Sequence, residues 1–405
     1  MNLFSLSWRY LWSRPLATGL NLLLLTLGLA TVAFVLIVQD QIDRAFERDL
    51  AGIDVVVGAK GSPMQLILAG VFHLDVPPGN IPLAEVQQLA QHPQVAQLIP
   101  LSLGDNLAGF RIVGTTVDYP AHYGATLAQG VLWQAPMEAV LGAQVAQQTG
   151  LRPGQAFVGA HGLGGGGGGA EHGDTPYTVT GLMAPCGCVL DRLVLTATES
   201  VWKVHDDMHA TEDMDEADRA AIEADREVTL ALIRYRTPLA AVSFPRFIND
   251  GTSMQAAAPA LEITRLMSLV GVGTRVFQGL GVVLLGVAAL SVFIALWSAV
   301  RERRADLAML RMLGAPPWKV GGLLLCEALW LATLACVLGL LAAHGLVAVV
   351  GDMLMAGQSL AITGWQWVHT EVWVPVLALG VALLAAGLPA LGAYRLDVLQ
   401  LLNTR

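Results

Sequence analysis

Nine histidines and four cysteines give this chain its most reactive side chains. His161 and His172 flank six consecutive glycines, Gly164 to Gly169, while His205 and His209 stand four apart beside Asp206 and Asp207. Histidines at i and i+4 share a helix face and can both ligate zinc. Cys186 and Cys188 could add thiolates to such a site, or could oxidise if they lie outside the cytoplasm. Against a metal site, the His205/His209 pair lacks an evident third and fourth ligand, and acidic helices are mostly solvated faces. The plain alternative is that each of these histidines is simply exposed.

Two further ionisable residues, Glu327 and His344, fall inside an apolar run, where such a group is a functional candidate by default. The plainer reading of Glu327 is a structural polar contact near the membrane interface. Around His344 no acidic residue suggests a proton relay. Cys326 and Cys336, in the same run, read as small apolar residues.

Catalysis finds little support. No Ser/His/Asp or Cys/His arrangement can be argued, and the ten acids between His205 and Glu227 lack the apolar setting that tunes a carboxylate for acid–base work. No G-x-x-x-x-G-K-[ST] motif occurs. Gly58-Ala59-Lys60-Gly61-Ser62 lacks its spacing, and the glycine run lacks its lysine. The chain is read as non-catalytic and without a cofactor of its own.

The elements that carry these residues are set by hydropathy. The chain has 405 residues, 54% hydrophobic and 14% charged, with a mean hydropathy of +0.57. Soluble domains are about 25% charged, so part of the chain belongs in lipid. The net charge of −9 and the lack of a basic patch exclude nucleic acid as a partner. Four cysteines are too few for a disulfide scaffold.

Four apolar runs reach the roughly 20 residues that a span needs. The expected spans are residues 16–39, 276–300, 320–350 and 372–394. The first is too long for a signal-peptide core and ends without an A-x-A site, so it reads as an uncleaved anchor. Lys and Arg in the short loops set the orientation. Arg9 and Arg14 precede the first span, Arg301, Arg303, Arg304, Arg311 and Lys319 separate the second from the third, and Arg395 and Arg405 follow the fourth. The 351–371 loop has neither residue type. Segments 1–15, 301–319 and 395–405 are therefore expected in the cytoplasm, with 40–275 and 351–371 outside.

The 40–275 insert reads as a mixed α+β domain. Strands are expected at 54–57, 95–101, 110–116, 177–182, 193–196 and 228–235, and helices at 83–91, 138–149 and 205–227. Residues of about 160–227 form a flexible glycine-rich and acidic insertion. The segment 259–275 is expected to form a helix continuous with the second span.

Arg301 to Lys319 reads RERRADLAMLRMLGAPPWK. Leu307, Leu310 and Leu313 recur at helical spacing, with Met309 and Met312 widening the apolar face. Gly314 suits a helix C′ position and Pro316-Pro317 bars continuation. On these residues alone, an interfacial helix held by anionic lipid is the ordinary reading.

One span, a long external domain and three closely spaced spans, together with this segment, resemble the FtsX/MacB/LolC-E family of ABC transporter permeases, the type VII or mechanotransmission transporters. Val140 to Phe157, Tyr177 to Arg192, Glu327 and Pro389 to Leu401 carry further likeness. The departure is Cys186-Gly187-Cys188, where relatives usually have small polar residues. The resemblance implies four transmembrane helices with a MacB-like periplasmic domain between the first two, in a bacterial inner membrane. It makes Arg301, Arg303, Arg304, Leu307, Leu310, Arg311, Leu313 and Gly314 a coupling helix for a separate ATPase subunit that binds ATP and Mg. It also implies a second permease chain, identical or not, and a periplasmic load such as a lipoprotein, lipid or peptide. Two alternatives are a zinc-linked transport or sensing component and an ATP-driven activator of a periplasmic cell-wall hydrolase.

Overall fold

The computed structural model describes residues 3–162, 175–206, 225–302, 309–356 and 362–394. The chain folds as two compact units, one built from Met1–Asp43, Leu269–Leu354 and Ile362–Arg405, the other from Arg44–Ser268 and Met355–Ala361.

In the first unit, the described residues contain four helices long and apolar enough to cross a membrane: Pro15–Leu50, Pro259–Glu302, Pro317–Met353 and His369–Tyr394. The first two run for 36 and 44 residues and continue into the second unit. At 1.5 Å per residue these lengths far exceed the roughly 30 Å of a hydrocarbon core. On the first helix Leu25, Leu29, Ala33 and Ile37 are buried at four-residue spacing, while Leu16, Leu20, Leu23 and Leu27 are exposed. A buried stripe opposite an exposed apolar face is the pattern of a helix packed on one side and bathed in lipid on the other.

Small residues set the helix contacts. A Cβ on Gly339 would stand 3.1 Å from the Leu29 Cβ, and one on Gly281 2.9 Å from Val32 Cγ2. Polar pairs add specificity: Ser291 Oγ donates to Asn21 Oδ1 at 2.6 Å, and Gln41 pairs both ways with the Thr363 backbone at 2.8 and 2.9 Å.

Among the described residues, the second unit is built on an eleven-stranded mixed sheet. Its strands are β1 (Val55–Ala59), β3 (Val95–Leu107), β4 (Phe110–Thr115), β5 (Leu127–Gly130), β6 (Glu138–Leu141), β7 (Ala156–Phe157), β8 (Ala160–His161), β9 (Tyr177–Met183), β10 (Leu193–Ala197), β12 (Leu230–Tyr235) and β13 (Met254–Ala257). The main order is β13-β1-β12-β3-β4-β10-β6-β9-β5, with β7 on β9 and β8 on β3. A separate pair joins β2 (Ile81–Pro82) to β11 (Glu227–Val228). The β4–β10 and β6–β9 pairs are parallel and the others antiparallel.

Among the described residues, two hydrophobic clusters lie along this sheet. In one, Val55, Val57 and Ile233 meet Val86 and Leu89 of helix Leu83–Ala90 and Phe244 and Ile248 of helix Ala240–Gly251. In the other, Phe110, Ile112, Leu141, Val179 and Val194 meet Val145 of helix Ala143–Thr149 and Val204 of helix Thr198–Asp206. Strands β4 and β10 are buried throughout, Arg111, Thr115 and Thr196 included, so neither alternates between a buried and an exposed face.

The helix expected over 138–149 begins only at Ala143. Residues 138–141 form β6, held between β9 and β10, and Gly142 makes the bend. The apolar Ala139-Val140-Leu141 run suits a central strand as well as a helix turn, and only its sheet neighbours decide. The strand expected over 228–235 is divided at Thr229, whose hydroxyl accepts the Leu103 N–H at 2.9 Å. Of the helix expected over 205–227, residues 207–224 lie outside the described residues.

Candidate functional site

The turn before helix Pro317–Ala356 has a defined geometry. Residues 309–312 are helical, Gly314 has φ +93°, and Gly314 N–H donates to Arg311 O while Ala315 N–H donates to Leu310 O, both at 3.0 Å. These two bonds form a Schellman motif with glycine at C′, the position that L side chains resist. Pro316 O accepts the Lys319 N–H at 3.0 Å, and Pro317 opens the next helix where no N–H is needed. The sequence thus builds a rigid helix–turn–helix at this point.

Around the turn, Met309, Met312, Leu313 and Trp318 are exposed, Leu313 by 84%, while Leu310 and Arg311 are half-buried. The Arg301 guanidinium lies over the Trp297 ring at 5.9 Å and Lys319 Nζ over Trp318 at 5.6 Å. Arg14 pairs with Glu302. Arg303, Arg304 and Leu307 fall outside the described residues. The described part offers exposed apolar side chains, with Lys319 over Trp318, on a turn held by its own backbone bonds.

Glu327 is buried and lines a cavity of about 330 Å³ with Arg14, Asn21, Thr18 and Ser291. The rest of the lining is mostly apolar, including Leu11, Leu20, Val292 and Leu331. His344 differs from its sequence reading. Its Nε2 lies 3.0 Å from Glu371 Oε2 and its Nδ1 2.7 Å from Gly364 O, and Glu371 Oε1 accepts the Val368 N–H at 2.8 Å. The acid lies 27 residues away, beyond a turn of the chain, where local reading could not find it.

The described metal candidates lie apart in their contacts. His161 Nδ1 lies 3.2 Å from the buried Asp105, its cross-strand partner in the β3–β8 ladder. Cys186 and Cys188 are joined in a disulfide, so neither supplies a thiolate. The one residue between them, Gly187 at φ +65°, brings their Cα atoms to 5.1 Å. His172, His209 and the side chain of His205 lie outside the described residues. Among the described residues no three His, Cys, Asp or Glu side chains gather as a metal set.

A buried polar cluster at the end of the first long helix was not anticipated. Asp49 Oδ1 accepts the Val189 N–H at 3.2 Å and lies 3.5 Å from Arg48 Nε, and Asp49 O accepts from Tyr123 Oη at 3.0 Å. Burial lowers the Arg192 guanidinium's pKa, with Asp49 and Asp191 opposing that shift. A run of Arg, Asp and Leu at a helix end carries no local sign of such a cluster.

Comparison with known proteins settles the family. The FtsX-like permease C-terminal model matches residues 279–398, and the MacB-like periplasmic core domain model matches residues 18–262, more than half of the chain. The chain belongs to the FtsX/MacB family of ABC transporter permeases. It is a multi-pass membrane protein of a family whose members are the membrane permease components of ABC transporters.

The periplasmic region of MacB from Actinobacillus actinomycetemcomitans is 11% identical, with 54% of this permease and 95% of that region aligned at a TM-score of 0.34. The extracellular domain of the noncanonic ABC-type transporter YknZ from Gram-positive bacteria is 10% identical, with 50% and 98% aligned at 0.30. No curated protein matches the sequence.

Proposed function

We propose that this permease takes up the force of ATP hydrolysis from a separate ATPase subunit through the 301–319 segment and delivers it as conformational work on a periplasmic load. The observation that carries this reading is the turn at 309–319. A Schellman-capped turn is rigid, and its apolar side chains are exposed, with Lys319 over Trp318. Such a knob fits a groove on a protein partner, and a rigid handle transmits displacement where a loose loop would absorb it.

The rest of the chain agrees in kind. Helix Pro259–Glu302 is a single 44-residue element ending at the basic segment, so motion applied there has a stiff member to follow. The Cys186–Cys188 bond suits an oxidising compartment, which supports an extracytoplasmic 40–275 domain and cytoplasmic termini in a bacterial inner membrane. Four spans are too few to line a solute path, so two permease chains act on an ATPase dimer. The load is a lipoprotein, lipid or peptide. A zinc-linked role has no gathered ligand set to favour it among the described residues.

The test is Gly314→Pro. Proline cannot adopt φ +93° and has no N–H for Arg311 O, so the turn is lost. Loss of ATPase from the solubilised complex is expected, with the permease still in the membrane. A complex retained in full would overturn the docking role.

A further inference from the structure

The Cys186–Cys188 bond closes the shortest kind of loop. A cross-link restricts the unfolded chain in proportion to the logarithm of the loop it closes, so bridging one intervening residue adds little to global stability. Its surroundings suit reaction instead. Cys186 is half-exposed and Cys188 is buried, so an incoming thiolate reaches one sulfur and not the other.

The backbone of this loop is also bonded to a neighbouring carboxylate. Asp191 accepts the Cys186 N–H at 3.0 Å and the Gly187 N–H at 2.7 Å, and Asp191 Oδ1 also lies 3.4 Å from Cys186 Sγ. A proton arriving on that sulfur meets an acceptor already in place. Arg48 stands over the loop, its Nη1 3.3 Å from where a Cβ on Gly187 would be. The next residue, Val189, ties the loop to Asp49 in the last turn of helix Pro15–Leu50.

We propose that Cys186 and Cys188 are a reversible dithiol/disulfide site, reduced by an external dithiol through Cys186, and that its state governs how firmly residues 44–50 are held. A thiolate of the reductant attacks Cys186 Sγ, forming a mixed disulfide. The Cys186–Cys188 bond breaks, and its electron pair leaves on Cys188 Sγ, which takes a proton from water. The reductant's second thiol, as thiolate, attacks its own sulfur in the mixed disulfide and releases Cys186, which is protonated in turn. Two electrons and two protons pass to the pair, and the reductant ends as a disulfide. This site goes beyond the ATPase-coupling reading and does not depend on it.

The test uses the full-length permease in detergent, collected with its thiols trapped by alkylation and mapped by mass spectrometry. The as-collected protein should leave Cys186 and Cys188 unlabelled. Equilibration in dithiothreitol buffers should label both along one shared transition, and oxidised glutathione added to the reduced protein should be caught on Cys186. Amide hydrogen exchange over residues 44–50 should quicken several-fold on reduction, through the Val189–Asp49 tie. The Cys186→Ser/Cys188→Ser variant should exchange at the faster rate in either buffer. Should that variant fail to fold, the wild-type comparison decides. Full labelling at collection, glutathione on Cys188, a bond that no dithiol reduces in the folded protein, or equal exchange in both states would each overturn the proposal.

Discussion

At the residue scale, His73 shows what burial does to a titrating group. It is buried at φ +53°, its Nε2 3.0 Å from Tyr119 Oη, and burial near Arg111 holds its pKa well below the usual 6.5. The folded chain therefore keeps His73 neutral while the unfolded chain binds a proton below about pH 6.5. Its contribution is complete above that pH and is lost as pH falls towards the depressed folded value, by up to about 1.4 kcal/mol per pH unit. Thermal unfolding of the purified permease at pH 7.5, 6.5 and 5.5 should show a falling midpoint. His73→Asn, whose side chain tolerates the left-handed backbone, should flatten that slope by one proton, while an unchanged slope would contradict the assignment. His122, also shifted down by burial, retains part of the dependence.

Single residues were the least legible part of the sequence. Cys186 and Cys188 left thiolate and disulfide both open, and the structure closes that choice through Gly187. His161, a metal candidate or a plain exposed side chain by sequence, is a cross-strand neighbour of Asp105. His344 looked isolated and meets Glu371. In each case the deciding partner is either one residue away with an unusual φ or many residues away through the fold.

At the scale of elements, the sequence was far more informative. Gly314 followed by Pro316-Pro317 specified a terminated helix, and the Schellman bonds at Leu310 and Arg311 are its physical form. The helix start at 83 and the strands at 95, 110, 177 and 193 follow from periodicity and apolar runs. The 138–149 segment misled because a buried strand of three apolar residues has no period to read. Gly142 marks that junction: a Cβ there would meet Leu190 O and the Asp191 backbone. Gly142→Ala should therefore destabilise by about 1–3 kcal/mol, the usual range for overpacking, read as a lowered thermal midpoint. An unchanged midpoint would mean the turn at 189–192 yields freely. Gly314→Ala forces an L residue to φ +93°, which should cost about 1 kcal/mol locally and weaken ATPase retention in part, measured against Gly314→Pro.

At the scale of the molecule, hydropathy alone located the four spanning helices and the domain inserted between the first two, because lipid imposes lengths and compositions that soluble folding does not. The order of the eleven strands was not readable. Its parallel β4–β10 and β6–β9 pairs join segments distant in sequence, and no local signal encodes that choice.

The proposed coupling of this permease to a separate ATPase is tested most directly by co-purification from native membrane. Leu313 is almost fully exposed, so Leu313→Asp leaves the Schellman turn standing and removes only the apolar surface it offers. The tagged wild-type chain should bring down a soluble ATPase, and Leu313→Asp should lose most of it while reaching the membrane in equal amount. A wild-type chain that retains no ATPase where a control permease keeps its own, or a Leu313→Asp chain that retains it undiminished, would contradict the coupling role and leave lipid as the partner of this turn.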